Sequence, residues 1–283
     1  MPFSVIAAVL FGAALHAGWN TVLKGAANHH LETAALLLGA ALIALVSLPF
    51  LPPIASAAYP WVASSALLHI LYFSLLASAY RSGDLGHAYP LMRGTPPLLL
   101  ALTAPLYGEH LSWARWGAIL IISLGILGFA CPNRTASLSR LTHGRTTRLA
   151  LLNALVIAAY TLNDGLGARR SASPFAYTLA TFLFTALPYL PLHAGLTWSR
   201  WRLHLHPPRL GLGLIAGGMS VASYGLALWA MGHAPIAPVA ALRESAILFG
   251  LLFARIFLAE PIGWQRGLCG ALIFGGVCLL RLV

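Results

Sequence analysis

Residues 108–125 read GEHLSWARWGAILIISLG, and residues 259–276 read AEPIGWQRGLCGALIFGG. Laid over one another, Glu109 falls on Glu260, Trp113 on Trp264, Arg115 on Arg266 and Gly125 on Gly276, all at one offset of 151. Apolar residues alone would align equally well at many offsets. Acidic, aromatic, basic and glycine matches at a single offset mark an internal repeat, so whatever unit ends in this segment occurs twice.

Apolar runs of this kind recur along the whole chain. Of 283 residues, 59% are hydrophobic and only 8% charged, with a mean hydropathy of +0.81; soluble domains carry about 25% charged residues. A soluble fold could not cover this much apolar side chain with polar surface. Runs of roughly 18 or more apolar residues are membrane spans. Ten are expected, near 3–23, 31–51, 61–80, 86–107, 112–130, 149–167, 174–194, 209–231, 235–257 and 263–281. Backbone groups in lipid must be satisfied within their own segment, so the spans are helices. The first is no cleaved leader standing alone, because many like it follow.

The polar stretch CPNRTASLSRLTHGRTTR (131–148) parts the spans five and five. The expected fold class is an all-α integral membrane protein: ten transmembrane helices as two inverted five-helix repeats. The first repeat is 1–130, the connecting loop 131–148 and the second repeat 149–283. An odd number of spans per repeat turns the second upside down. That plan is typical of secondary transporters, whose substrate site lies near the midplane where the repeats meet.

Net charge is +11, from 17 Lys and Arg against 6 Asp and Glu. The basic residues stand in short loops between spans, so the expected partners are membrane lipids and not nucleic acid. Lys24, Arg81, Arg134, Arg140, Arg145, Arg148, Arg200, Arg202, Arg209, Arg255 and Arg266 share one side; Arg115, Arg169, Arg170 and Arg281 share the other. By the positive-inside rule both termini are outside. Cys131, Cys269 and Cys278 form no pairing motif. There is no GxSxG, HExxH or Walker A sequence, and no cofactor is expected. An intramembrane enzyme acting on a lipid-linked substrate is the alternative function; it would need a catalytic set clustered at one interface.

Two arginines stand inside spans. The offset of 151 sets Pro90-Leu91-Met92-Arg93-Gly94 on Ala241-Leu242-Arg243-Glu244-Ser245, so each repeat has an arginine within one residue of the same place. Each lies about 10–12 Å deep at 1.5 Å per residue. Such a charge costs about 3 kcal/mol or more and faces a wet cavity or a partner. On the functional reading Arg93 and Arg243 meet an anionic group of the substrate, which a guanidinium holds bidentately. On the structural reading one of them pairs with Glu244 or Asp164. Glu244 can also serve both ends, releasing an arginine when substrate binds.

In the first span His16 and Asn20 share a helix face, with Trp19 beside them. His16 either couples a proton to transport or serves as interhelical glue. Tyr160, Asn163 and Asp164 lie within about one turn in the sixth span; Asp164 is either a wall residue or a solvated interfacial one. His69 and Tyr72 in the third span and Tyr224 in the eighth would complete an amphiphilic cavity. Pro90, Pro96 and Pro97 loosen the fourth span. Gly213 and Gly217 form a close-packing face, with Gly267 and Gly270 a related one. Glu109 and Glu260 read as capping residues at loop ends.

The two five-span halves, each with a GE or AE step before a glycine-rich final helix, resemble the EamA branch of the drug/metabolite transporter superfamily. HAGWNTVLK (16–24), YRSGDLGHAYPLMRGTPPLL (80–99), AAYTLNDGLG (158–167) and APIAPVAALRESAILF (234–249) resemble a subgroup with HAxWN, GDLxxxYPxxRGxxP and VAALRExxxLF signatures. The resemblance implies alternating access around a central cavity, with His16, Asn20, Tyr89, Arg93, Asp164, Arg243 and Glu244 as site positions. Some relatives are associated with phosphonate utilisation and others export amino acids and metabolites. The expected activity is therefore secondary transport of a small anionic or zwitterionic metabolite, such as an amino acid or organophosphonate. The partner is that small-molecule substrate, the driving force a proton or solute gradient, and the setting the cell (inner) membrane. The expected state is a monomer, with a homodimer as the alternative. The superfamily is usually drawn with cytoplasmic termini, against the charge count here.

Overall fold

Among the described residues of the computed structural model, every regular element is a helix. The structure describes residues 1–23, 29–82, 85–130, 144–194, 206–257 and 263–283. The elements are α1 (Phe3–Leu23), α2 (His29–Ser47), α3 (Tyr59–Ser82), α4 (Leu85–Gly94), α5 (Pro96–Thr103), α6 (Trp113–Leu127), α7 (Arg145–Arg170), α8 (Pro174–Ala194), α9 (Pro207–Met231), α10 (Ile236–Arg243), α11 (Ala246–Phe257) and α12 (Trp264–Leu282). Nine helices among the described residues are long and apolar enough to cross a membrane, with Ile236–Phe257 taken as one. The chain is an all-α integral membrane protein. Lys24, Glu260 and residues 131–143 lie outside the described residues.

The expected fourth span is the broken one. α4 ends at Gly94, and α5 begins at Pro96 with prolines at its first two positions. Neither Pro96 nor Pro97 has an N–H to return to the preceding turn, so the hydrogen-bond ladder is interrupted although Thr95 itself keeps helical geometry. The expected ninth span is likewise two helices, an outcome the continuous run did not announce. At its break the bonds tighten to the three-residue spacing: Glu244 N–H donates to Ala241 O at 3.1 Å and Ser245 N–H to Leu242 O at 3.1 Å. Both breaks fall within two residues of the intramembrane arginine. The sixth span also differs: α7 starts at Arg145, so Arg145 and Arg148 are helical rather than loop residues.

Glycines set the closest approaches. A Cβ on Gly217 of α9 would stand 2.5 Å from the Ala40 nitrogen and 2.8 Å from the Leu36 oxygen of α2, the backbone contact that the Gly213/Gly217 spacing foretells. Gly267 and Gly270 do not behave likewise. Gly267 has open space where its Cβ would be, and Gly270 meets only leucine methyls at 3.5 Å.

The close face of α12 is instead the one bearing Gly276, and its contacts with α6 are reciprocal. A Cβ on Gly125 would lie 2.9 Å from Ile273 Cγ1 and 3.0 Å from Cys269 O; one on Gly276 would lie 2.6 Å from Ile122 Cγ1 and 3.0 Å from Ala118 O. Gly125 and Gly276, Ile122 and Ile273, and Ala118 and Cys269 are each related by the offset of 151. A self-complementary patch of this kind is what a two-fold relation produces.

Glu109 closes one end of the bundle. Its Oε1 accepts from Arg169 Nη2 at 2.7 Å, and its Oε2 from Ile236 N–H, the first residue of α10, at 2.8 Å. Arg169 also donates to Met231 O at 2.7 Å and Ala234 O at 3.0 Å. The carboxylate thus caps a helix N-terminus, where negative charge is favourable, and the arginine takes carbonyls at the C-terminal end of α9 and beyond it.

Candidate functional site

α4 carries Arg93 one residue before its end and α10 ends on Arg243, and a side chain joins the two breaks. Arg93 Nε donates to Glu244 Oε2 at 2.9 Å, and both side chains are buried. Position 244 is the repeat equivalent of position 93, so the pair joins matching places in the two halves. Of the pairings the sequence left open, this is the one formed.

Arg243 is treated differently. It is half-buried, and no described carboxylate stands within ion-pair distance of it. Its guanidinium lies over the Tyr224 ring, 5.0 Å from the centroid. Glu244 remains within its electrostatic range, but the carboxylate's close contact is with Arg93.

Around these charges stands an aromatic wall. Tyr160 of α7 is 5.5 Å from Tyr72, 6.4 Å from Tyr224 and 4.4 Å from the His69 ring, centroid to centroid. Tyr72, Tyr89 and Tyr160 all lie within electrostatic range of Arg93, and His16 within range of both arginines. Of the ten residues singled out in the sequence, direct contacts join Arg93 to Glu244, and join Arg243, Tyr224, Tyr160, Tyr72 and Asp164 to one another, while His16 and Tyr89 stand nearby. Asn20 is the exception: its amide donates back to the His16 carbonyl at 2.7 Å.

Asp164 is not a solvated interfacial residue. It is fully buried, and its oxygens accept from the Tyr224 hydroxyl at 2.6 Å, the Tyr177 hydroxyl at 3.0 Å and the Asn163 amide at 3.0 Å. Asn163 reaches on to α3, donating to Trp61 O at 2.9 Å and accepting from Ser64 at 2.7 Å. Tyr177 and Ser64 were not foreseen. One of the two tyrosines of α8 and a serine of α3 have no spacing relation to Asp164, and only the folded crossing brings them to it and to Asn163.

Chemically the site offers one cation in an ion pair, a second with no described carboxylate in ion-pair distance, and phenolic walls. Two further donors are buried without a hydrogen-bond partner among the described residues, the Trp19 indole N–H and the Ser245 hydroxyl. Trp19 packs edge-on against His16 at 5.2 Å, and Ser245 follows Glu244 directly. Among the described residues no group of three His, Cys, Asp or Glu could hold a metal ion.

Residues 147–282 match the EamA-like transporter family. A protein of solved crystal structure is similar in fold, with a TM-score of 0.70 at 20% identity, over 98% of this chain and 98% of that chain. No curated protein matches the sequence.

Proposed function

We propose that this membrane protein, whose residues 147–282 match the EamA-like transporter family, is a secondary transporter for a small anionic or zwitterionic metabolite, such as an amino acid or organophosphonate. The observation that carries the reading is Arg243: a half-buried guanidinium at the breaks of the two helices, with no described carboxylate within ion-pair distance. A cation kept in a bundle interior without a counter-ion is a costly feature unless an anion visits it. Arg93, held by Glu244, is wall and brace, so the anionic group goes to Arg243. Buried donors left unpaired are also a cost, which a ligand offsets by accepting from them.

The transporter works by alternating access around this site, driven by a proton or solute gradient and without a cofactor. It acts as a monomer in the cell (inner) membrane with both termini outside. This reading assigns His16, Tyr89 and Arg93 to the same site, as the resemblance to the HAxWN and YPxxRG subgroup implies.

Purified protein in detergent gives the direct test. Methylphosphonate, 2-aminoethylphosphonate and a set of amino acids are screened for a rise in melting temperature, since a ligand that binds the native state stabilises it. At least one anionic or zwitterionic compound raises it, and Arg243→Gln loses that rise while keeping the unliganded melting temperature. A rise that persists in Arg243→Gln contradicts the assignment.

A further inference from the structure

The geometry points to Asp164 as a positioning residue for Arg243, acting through Tyr224 and not by touching the substrate; this rests on the reading of Arg243 above. Asp164 Oδ2 takes the Tyr224 hydroxyl at 2.6 Å, a short charge-assisted bond of the strong kind. Its Oδ1 takes the Tyr177 hydroxyl and the Asn163 amide, each at 3.0 Å. Through Asn163 and the Trp61 carbonyl, α3 joins the cluster, so α3, α7, α8 and α9 meet at one fully buried carboxylate. No described cation lies within ion-pair distance of Asp164.

What the carboxylate holds is the phenol of Tyr224. A tyrosine has two χ angles, and fixing its hydroxyl end removes the swing of the ring. The ring is then a fixed plate, and Arg243 rests on it at 5.0 Å. A ring contact puts no acceptor oxygen on the guanidinium, so its fork of N–H donors is not taken up by a carboxylate. A carboxylate partner would orient the group equally well but would occupy that fork and cancel the charge, as Glu244 does for Arg93 at 2.9 Å. The phenol passes on the rigidity of the Asp164 cluster without bringing its negative charge into contact with Arg243.

The test is the reactivity of each arginine toward phenylglyoxal, an arginine-selective reagent, followed peptide by peptide by mass spectrometry on the intact protein in detergent. Tyr224→Phe keeps the plate and loses its anchor; Asp164→Ala removes the anchor from the other side. Each is expected to speed modification of Arg243 by about tenfold, the scale of one desolvated cation–π contact, and to leave Arg93 unchanged. Asp164→Asn keeps an oxygen that accepts from Tyr224 and stays near wild type. Because Asp164 acts only through the Tyr224 hydroxyl, Tyr224→Phe/Asp164→Ala matches Tyr224→Phe alone. Unchanged rates in the single variants, or additive rates in the double, overturn the inference. Should Asp164→Ala not fold, the contrast between Tyr224→Phe and Asp164→Asn decides in the same sense. Methylphosphonate is added as a separate arm. If it fails to slow modification of Arg243 in the wild-type protein while the variant pattern holds, the anion-binding reading fails and the positioning role stands.

Discussion

Placing a guanidinium in a bundle interior costs about 3 kcal/mol or more, and Arg93 offsets that cost with Glu244 at 2.9 Å. Removing one member of a buried pair strands the other, at about 3–5 kcal/mol in soluble proteins. Arg93→Gln is therefore expected to lower the melting temperature in detergent clearly, and Arg93→Gln/Glu244→Gln to recover most of the loss. A single variant that melts like wild type would show that the pair does not brace the bundle. The residues of this pair were legible: register alone brought Arg93 and Arg243 to matching places and set Glu244 beside one of them. The choice of partner was not, because Glu244 and Asp164 were equally available to either arginine along the chain. The packing of α5, just after Arg93, against α10, just before Glu244, decides it, and that packing is non-local. Tyr177 was hidden for the same reason, and so Asp164 was left between a wall role and a solvated one.

At the scale of elements, two breaks and one latch shape the site. The break after Gly94 was readable from Pro96 and Pro97, because proline acts locally through its missing N–H. The break at Glu244–Ser245 has no proline or glycine to announce it. Its three-residue bonds, Glu244 to Ala241 and Ser245 to Leu242, accompany the drawing of Glu244 toward Arg93. Glu109 was expected to cap, and it caps α10, an element of the other half; sequence reading stopped short of the partner Arg169. Glu109→Ala should destabilise by about 1–2 kcal/mol, the worth of a helix cap. Arg169→Ala should cost a similar amount. The double variant should cost less than the sum, because the two groups share a contact of 2.7 Å. Thermal melts of the three variants check this, and strictly additive losses would mean that the contact contributes nothing.

At the scale of the molecule, the offset of 151 seen in sequence returns as geometry. Gly125 meets Ile273 where Gly276 meets Ile122, and Arg93 meets the residue that stands at its own place in the second half. Matching contacts should have matching energies. Gly125→Leu and Gly276→Leu are each expected to destabilise by about 1–3 kcal/mol through overpacking, whereas Gly117→Leu and Gly275→Leu, which have open space, should melt near wild type. A loss confined to one of Gly125 and Gly276 would argue against a shared two-fold seam. The central claim, an anion carried by way of Arg243, is tested most directly by counterflow in proteoliposomes. The labelled compound is whichever amino acid or organophosphonate stabilises the purified protein. Arg243→Gln should abolish saturable exchange and Arg243→Lys restore only part of it, since an ammonium lacks the bidentate fork. Arg93→Gln/Glu244→Gln, which removes the neutral pair and leaves Arg243, should still exchange. Full exchange in Arg243→Gln, or its loss only when Arg93 and Glu244 are changed, would contradict the account.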